Sequence, residues 1–211
     1  MASKYNISDE LLAAYLEGNV NKEELKQVLQ AAANDAELRE TLDIAMQVDD
    51  DMYPMMQMAA ESGRNLCDIE CEAYILKQNG IDCDIEALLE VAKENHWIRR
   101  AGTPLNCIGN LLEHNGLNVN RRLNASLDDI KEVLAEANGV IVAVDSDKLY
   151  PERPDEEDAT NHAIVVTEIG DDSVTIYDPA NIEEVKIDIP LFLSAWHESQ
   201  NYMVSVVNVK R

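Results

Sequence analysis

The chain has 211 residues, with 41 Asp and Glu against 17 Lys and Arg and a net charge of −24 at pH 7. A polyanion of this kind is repelled by nucleic acid and by anionic membrane surfaces, so neither is an expected partner. Hydrophobic residues make up 46% of the chain, enough to build a packed core.

Residues 8 to about 60 read as helices only. Ser8 caps a first helix with Leu11, Leu12, Tyr15 and Leu16 as its apolar positions, ended by Gly18-Asn19. Asn21 with Glu24 makes a capping box for a second, and Asn34 with Glu37 repeats the pattern for a third bearing Leu38, Leu42, Ala45 and Met46. Asp49-Asp50-Asp51 and a Met-rich stretch around Pro54 follow, and Gly63 marks the expected junction. The division expected is a helical region over 1–62 and a mixed region over 63–211.

In the second region helices are expected at 71–79, 84–96 and 104–115, the last with Thr103 as cap and Pro104 at its first position. Another is expected at 127–137 after Ser126. Strands are expected at 139–145, 162–169 and 173–177, the last two joined as a hairpin by Gly170-Asp171-Asp172. An alternating segment at 185–189, a helix at 190–197 and a strand at 202–209 complete the chain. Helices first and antiparallel strands later indicate an α+β fold. An acidic loop at 151–159 stands just before His162 as a candidate rim or lid.

No segment is apolar for long enough to span a bilayer, and residues 1–10 lack the apolar core of a signal peptide, so a cytoplasmic location is expected. The cysteines Cys67, Cys71, Cys83 and Cys107 would then be mostly reduced. They include no second closely spaced pair, so no metal site is expected, and no cofactor is implied.

Cys71 at an expected helix start, His162 at the head of a strand and Asp178 at the end of the next strand form the order that thiol nucleophile chemistry uses. A helix N-terminus favours a thiolate, an imidazole takes the thiol proton, and a carboxylate fixes the ring's tautomer. Each residue also has a plainer reading: a small core residue for Cys71, a hydrogen-bonded core histidine for His162, an ordinary turn for Asp178-Pro179. Glu72 facing a sulfur would hold the thiol protonated, so its side chain is expected to point away.

The run Cys71-Glu72-Ala73-Tyr74-Ile75-Leu76-Lys77-Gln78-Asn79-Gly80 resembles the nucleophile helix of C39-like peptidases, bacterial members of the papain-like cysteine peptidase fold. Gly102-Thr103-Pro104, His162-Ala163-Ile164-Val165-Val166, Tyr177-Asp178-Pro179 and Phe192-Leu193-Ser194-Ala195-Trp196 are similar to its later segments, in the same order. The resemblance implies cleavage of a peptide or amide bond in a peptide or protein substrate. Cys71 would attack, His162 would carry the proton and Asp178 would orient His162. The family commonly places a Gln before the Cys as an oxyanion donor; here Asn65 stands in that region. Residues 7–18 resemble the start of anti-sigma-factor-like helical domains, whose zinc ligands are missing from residues 30–38, so a metal-free module contacting a protein partner is implied. Acyl transfer or deamidation on the same triad, and a catalytically silent papain-like module that binds or regulates a protein, are the alternatives.

Overall fold

The computed structural model describes residues 7–16, 20–42, 66–98, 102–136, 139–152, 161–181 and 184–207. Outside the described residues lie the Gly18-Asn19 stop, the continuation of the third helix, the Met-rich stretch, the junction at Gly63, Asn65, the acidic loop beyond 152 and the ends expected at 137 and 208–209.

Two helices open the chain, α1 (Asp9–Leu16) and α2 (Lys22–Asn34), followed by a helical segment α3 at 36–42. The caps are local. Ser8 Oγ accepts from Leu11 N at 3.1 Å, and Asn21 with Glu24 closes the expected capping box. The cap of α3 is Asp35, whose Oδ1 accepts from Glu37 N and Leu38 N, rather than Asn34, whose amide donates back to Gln30 O. Ile7, Val28, Ala32, Leu38 and Leu42 bury one another in a small core of their own. Tyr15 Oη donates to Asn106 Oδ1 at 3.0 Å, and Arg39 lies 3.9 Å from Glu113, so these helices rest on the remainder of the chain.

The rest comprises α4 (Cys67–Gln78), α5 (Ile85–Glu94), α6 (Asn110–His114), β1 (Val119–Arg122), α7 (Leu127–Leu134), β2 (Val140–Asp145), α8 (Ser146–Leu149), β3 (Asn161–Ile169), β4 (Ser173–Tyr177), β5 (Val185–Asp188), α9 (Ile189–His197) and β6 (Met203–Val206). The strands form one sheet in the order β1-β6-β2-β3-β4-β5, with every neighbouring pair antiparallel. Alternation sorts the side chains. Ile141, Ala143, Ala163, Val165 and Val204 face a core shared with α4, α5 and α6; Val140, Val142, Ile164, Val166 and Ile176 face a second core with Phe192 and Trp196 of α9. Trp196 anchors that second core, fully buried, with Nε1 donating to Tyr202 O at 2.9 Å.

Two further local expectations are corrected. The helix expected at 71–79 begins one turn earlier, at Cys67. Its N-cap, Leu66, makes no side-chain capping bond, so no Ser, Thr, Asp or Asn marks the start. The helix expected at 104–115 is confined to α6: Cys107 N bonds Pro104 O in a turn, and Gly109, at φ +91°, sets the helix start. β1 and α8 were not anticipated. Among the described residues no helix is long and apolar enough to cross a membrane.

Candidate functional site

α4 carries its N-terminal end to the start of β3, against which it packs. His162 stands there, and the β3–β4 hairpin brings Asp178, just past β4, beside it. His162 Nε2 lies 2.7 Å from Asp178 Oδ1. The other side-chain partner of the ring is the sulfur of Cys67, the first residue of α4. With Nε2 engaged by the carboxylate, Nδ1 is the nitrogen left for the thiol. Burial works against a charged ring, but the hydrogen bonds to Asp178 and Cys67 outweigh it and push His162 up to about 10.

Asp178 is fully buried and fully used. Oδ1 also accepts from Ala180 N at 2.9 Å, while Oδ2 accepts from Tyr150 Oη and from Asn181 Nδ2. Burial alone would raise its carboxyl; the hydrogen bond and charge of His162, with the Tyr150 and Ala180 donors, hold it below the usual carboxylate range. Tyr150 and Asn181 carry no motif in the sequence. Asn181 follows an Asp-Pro turn closely enough to have been found as a local cap; Tyr150 arrives only through the tertiary fold.

Cys71 is not one of the side chains that hydrogen-bond the ring. It lies one helical turn further into α4, on the same face as Cys67, fully buried in the core beneath the sheet. Burial pushes its thiol well above the ordinary value, with neighbouring Cys67 and carboxylates adding to the shift. The thiol beside the ring is that of Cys67, half-buried at the helix terminus.

Glu70 flanks the site. Burial raises its carboxyl, with the charge of His162 opposing. Tyr74 and Tyr177 stack with ring centroids 4.4 Å apart, tying α4 to the strand end that carries Asp178. Among the described residues no group of His, Cys, Asp and Glu side chains is arranged to hold a metal ion.

No protein-family description matches this chain, and no curated protein does. Solved structures do. One, from Bacillus anthracis and described as a C39-like peptidase, is 16% identical with a TM-score of 0.56, over 70% of this chain and 91% of its own. Another, the peptidase domain of Streptococcus ComA, a bifunctional ABC transporter of a quorum-sensing pathway, is 17% identical with a TM-score of 0.53, over 68% of this chain and 91% of its own. At these identities the likeness is one of fold: a C39-like, mixed helical and antiparallel architecture.

Proposed function

We propose that the chain is a cysteine peptidase or amidohydrolase in which Cys67 is the nucleophile, His162 the general base and Asp178 the group that orients His162. The observation that carries this reading is a ring held between a buried carboxylate at 2.7 Å and a thiol at the first position of a helix.

The thiol proton rests on His162, whose ring, raised to about 10, holds it as an imidazolium, and the Cys67 sulfur attacks the scissile carbonyl, forming the S–C bond. The oxyanion is held by the backbone N–H of Cys67, one of the donors that a helix start leaves without an intrahelical partner. Asn65 is the proposed side-chain donor to the same oxygen. The tetrahedral centre collapses, the C–N bond breaks, and the leaving amine takes the proton from His162. Water, deprotonated by the same ring, then cleaves the thioester. Asp178 remains ionised throughout and keeps the Nδ1 side of the imidazole toward the sulfur.

A peptide or protein substrate is proposed by likeness to the two peptidases. The helices α1–α3 are read as an accessory unit, divided from the papain-like region near residue 62, through which a protein partner would act. The test is a peptide-library digest read by mass spectrometry with wild type, Cys67→Ala and Cys71→Ala. Cleavage should persist in Cys71→Ala and vanish in Cys67→Ala. Equal cleavage by folded Cys67→Ala, or no cleavage by any protein at micromolar concentration, would favour a silent binding module.

A further inference from the structure

Two acidic residues on α4 have no part in the proposed chemistry, yet both are buried. Asp68, the residue after the nucleophile, is 2% exposed, and Glu72, one turn on, is 1% exposed. Their spacing puts both on one face of the helix, turned into the protein. Glu72 reaches the start of α6: Oε1 accepts from Gly109 N at 3.0 Å and Oε2 from Leu112 N at 2.7 Å. Asp68 pairs with the hydroxyl of Thr103 and lies within hydrogen-bonding reach of Glu72. Its Oδ1 is nevertheless buried with no donor among the described residues.

Two ionised carboxylates cannot bond each other; one shared proton turns the contact into a strong hydrogen bond. Among the described residues no cation forms an ion pair with either carboxylate. Arg121 of β1, whose charge bears on Asp68, spends its donors on Ile108 O, Asn110 Oδ1 and Glu113 of α6. Among the described residues, other titratable groups around the pair and its Arg121 neighbour include Cys67, Glu70 and Cys71 on α4 and Tyr202 ahead of β6. Arg39 of α3 bears on this cluster through Glu113 and Tyr202.

We propose that Asp68 and Glu72 are positioning residues: a proton-sharing carboxyl clasp that locks the 103–112 segment to the helix end bearing Cys67 and loosens when its shared proton is lost. The clasp joins Thr103 and the α6 start to the residue next to the nucleophile, so its closure sets where the Cys67 sulfur stands. This rests on the reading of Cys67 as nucleophile for its kinetic consequence, but not for its effect on stability.

The direction with pH follows from the protons held. Burial comes first in raising both groups, Asp68 to about 6 and Glu72 well above the ordinary range. The folded protein thus binds protons more tightly than the unfolded chain, and the clasp's contribution is complete below about pH 4. One proton leaves as pH rises through about 6, which leaves the single shared proton, and the clasp is lost at higher pH as Glu72 gives up the remaining one.

Asp68→Asn is the isostere that supplies the donor permanently: its amide N–H donates to an ionised Glu72, and its carbonyl still accepts from Thr103. The experiment measures Tm and the iodoacetamide alkylation rate of Cys67 in the full chain from pH 5 to 9. The wild-type Tm should fall behind that of Asp68→Asn by about 5 °C across this range. The ratio of wild-type to variant alkylation rates should drop about threefold or more as the sulfur is displaced. Asp68→Ala, which removes the donor, should be slow and unstable at every pH. Glu72→Gln repeats the test should Asp68→Asn fail to fold. Parallel Tm curves for wild type and both isosteres would overturn the proposal. A Tm divergence with no change in the rate ratio would leave the pair structural and overturn its positioning role. Alkylation at some cysteine other than Cys67 would instead count against the nucleophile assignment, which the Tm arm does not need.

Discussion

Asp178→Asn changes one atom in a carboxylate surrounded by four donors. His162 Nε2 and Ala180 N meet Oδ1, while Tyr150 Oη and Asn181 Nδ2 meet Oδ2. An amide cannot accept at both positions, so its NH₂ confronts either Asn181 Nδ2 or the Ala180 N–H. One buried donor losing its acceptor costs about 2 kcal/mol, a fall in Tm of roughly 4–8 °C for a chain of this size. The chemical effect is larger. The ring titrates near 10 instead of at the ordinary 6.5, which corresponds to about 5 kcal/mol in favour of the imidazolium, shared between Asp178 and Cys67. With the carboxylate neutralised, burial pulls the ring down and only Cys67 opposes it. At an ordinary value it would be charged in roughly a tenth of molecules at pH 7.5, and its tautomer would no longer be fixed. Alkylation of Cys67 at that pH should slow by about 10²-fold. A brief iodoacetamide pulse followed by trypsin gives a peptide, residues 65–77, that contains both Cys67 and Cys71, and fragment ions separate the two. The pH dependence has a definite sign. The Asp178 contribution to stability is complete above about pH 4 and is lost as pH falls through its lowered folded value; the His162 contribution is complete below about 6.5 and is lost as pH rises through about 10. The Tm gap between wild type and variant should therefore be widest near neutrality and close at both extremes. A folded Asp178→Asn protein that labels Cys67 at an unchanged rate would refute the triad geometry and the base role of His162 with it.

His162→Ala should slow Cys67 labelling at least as much as Asp178→Asn, and the double variant should add little because the groups act as a unit; additive losses would separate them. Gly109→Ala should destabilise the fold by about 2–4 kcal/mol in urea denaturation, because the residue sits at φ +91° and a Cβ would approach Val204 Cγ1 to 2.8 Å and Val119 Cγ1 to 3.0 Å. A change under about 0.5 kcal/mol would mean that the α6 start gives way without resistance. Removing residues 1–62 should leave a soluble, cooperatively folding protein, since the buried apolar side chains of α1–α3 largely cover one another. Tyr15→Phe in the full chain should cost about 1 kcal/mol for the lost bond to Asn106. Aggregation of the truncated chain would show that the helices cover part of the main core.

Alternation and caps are local, and they made much of the architecture legible in the sequence. β3, β4 and the Gly170 turn follow from β-branched runs around a glycine whose N–H bonds Ser173 O at 2.8 Å. Ser126 with Asp129 forms the expected capping box of α7. His162 and Asp178 could be paired from sequence because a hairpin brings the head of one strand beside the end of the next. The thiol that stands beside His162 was not legible in the same way. Cys67 and Cys71 lie one turn apart on one face of α4, so periodicity treats them alike. What separates them is where the helix begins and what covers each sulfur. The beginning carries no capping side chain, since Leu66 occupies that position. Burial of Cys71 comes from β3 and the surrounding core, which are distant in sequence. The Asp68–Glu72 pair shows the same division: its spacing is written in the sequence, but the N–H groups of Gly109 and Leu112 that hold Glu72 inside belong to a segment some forty residues away and are supplied only by the folded chain.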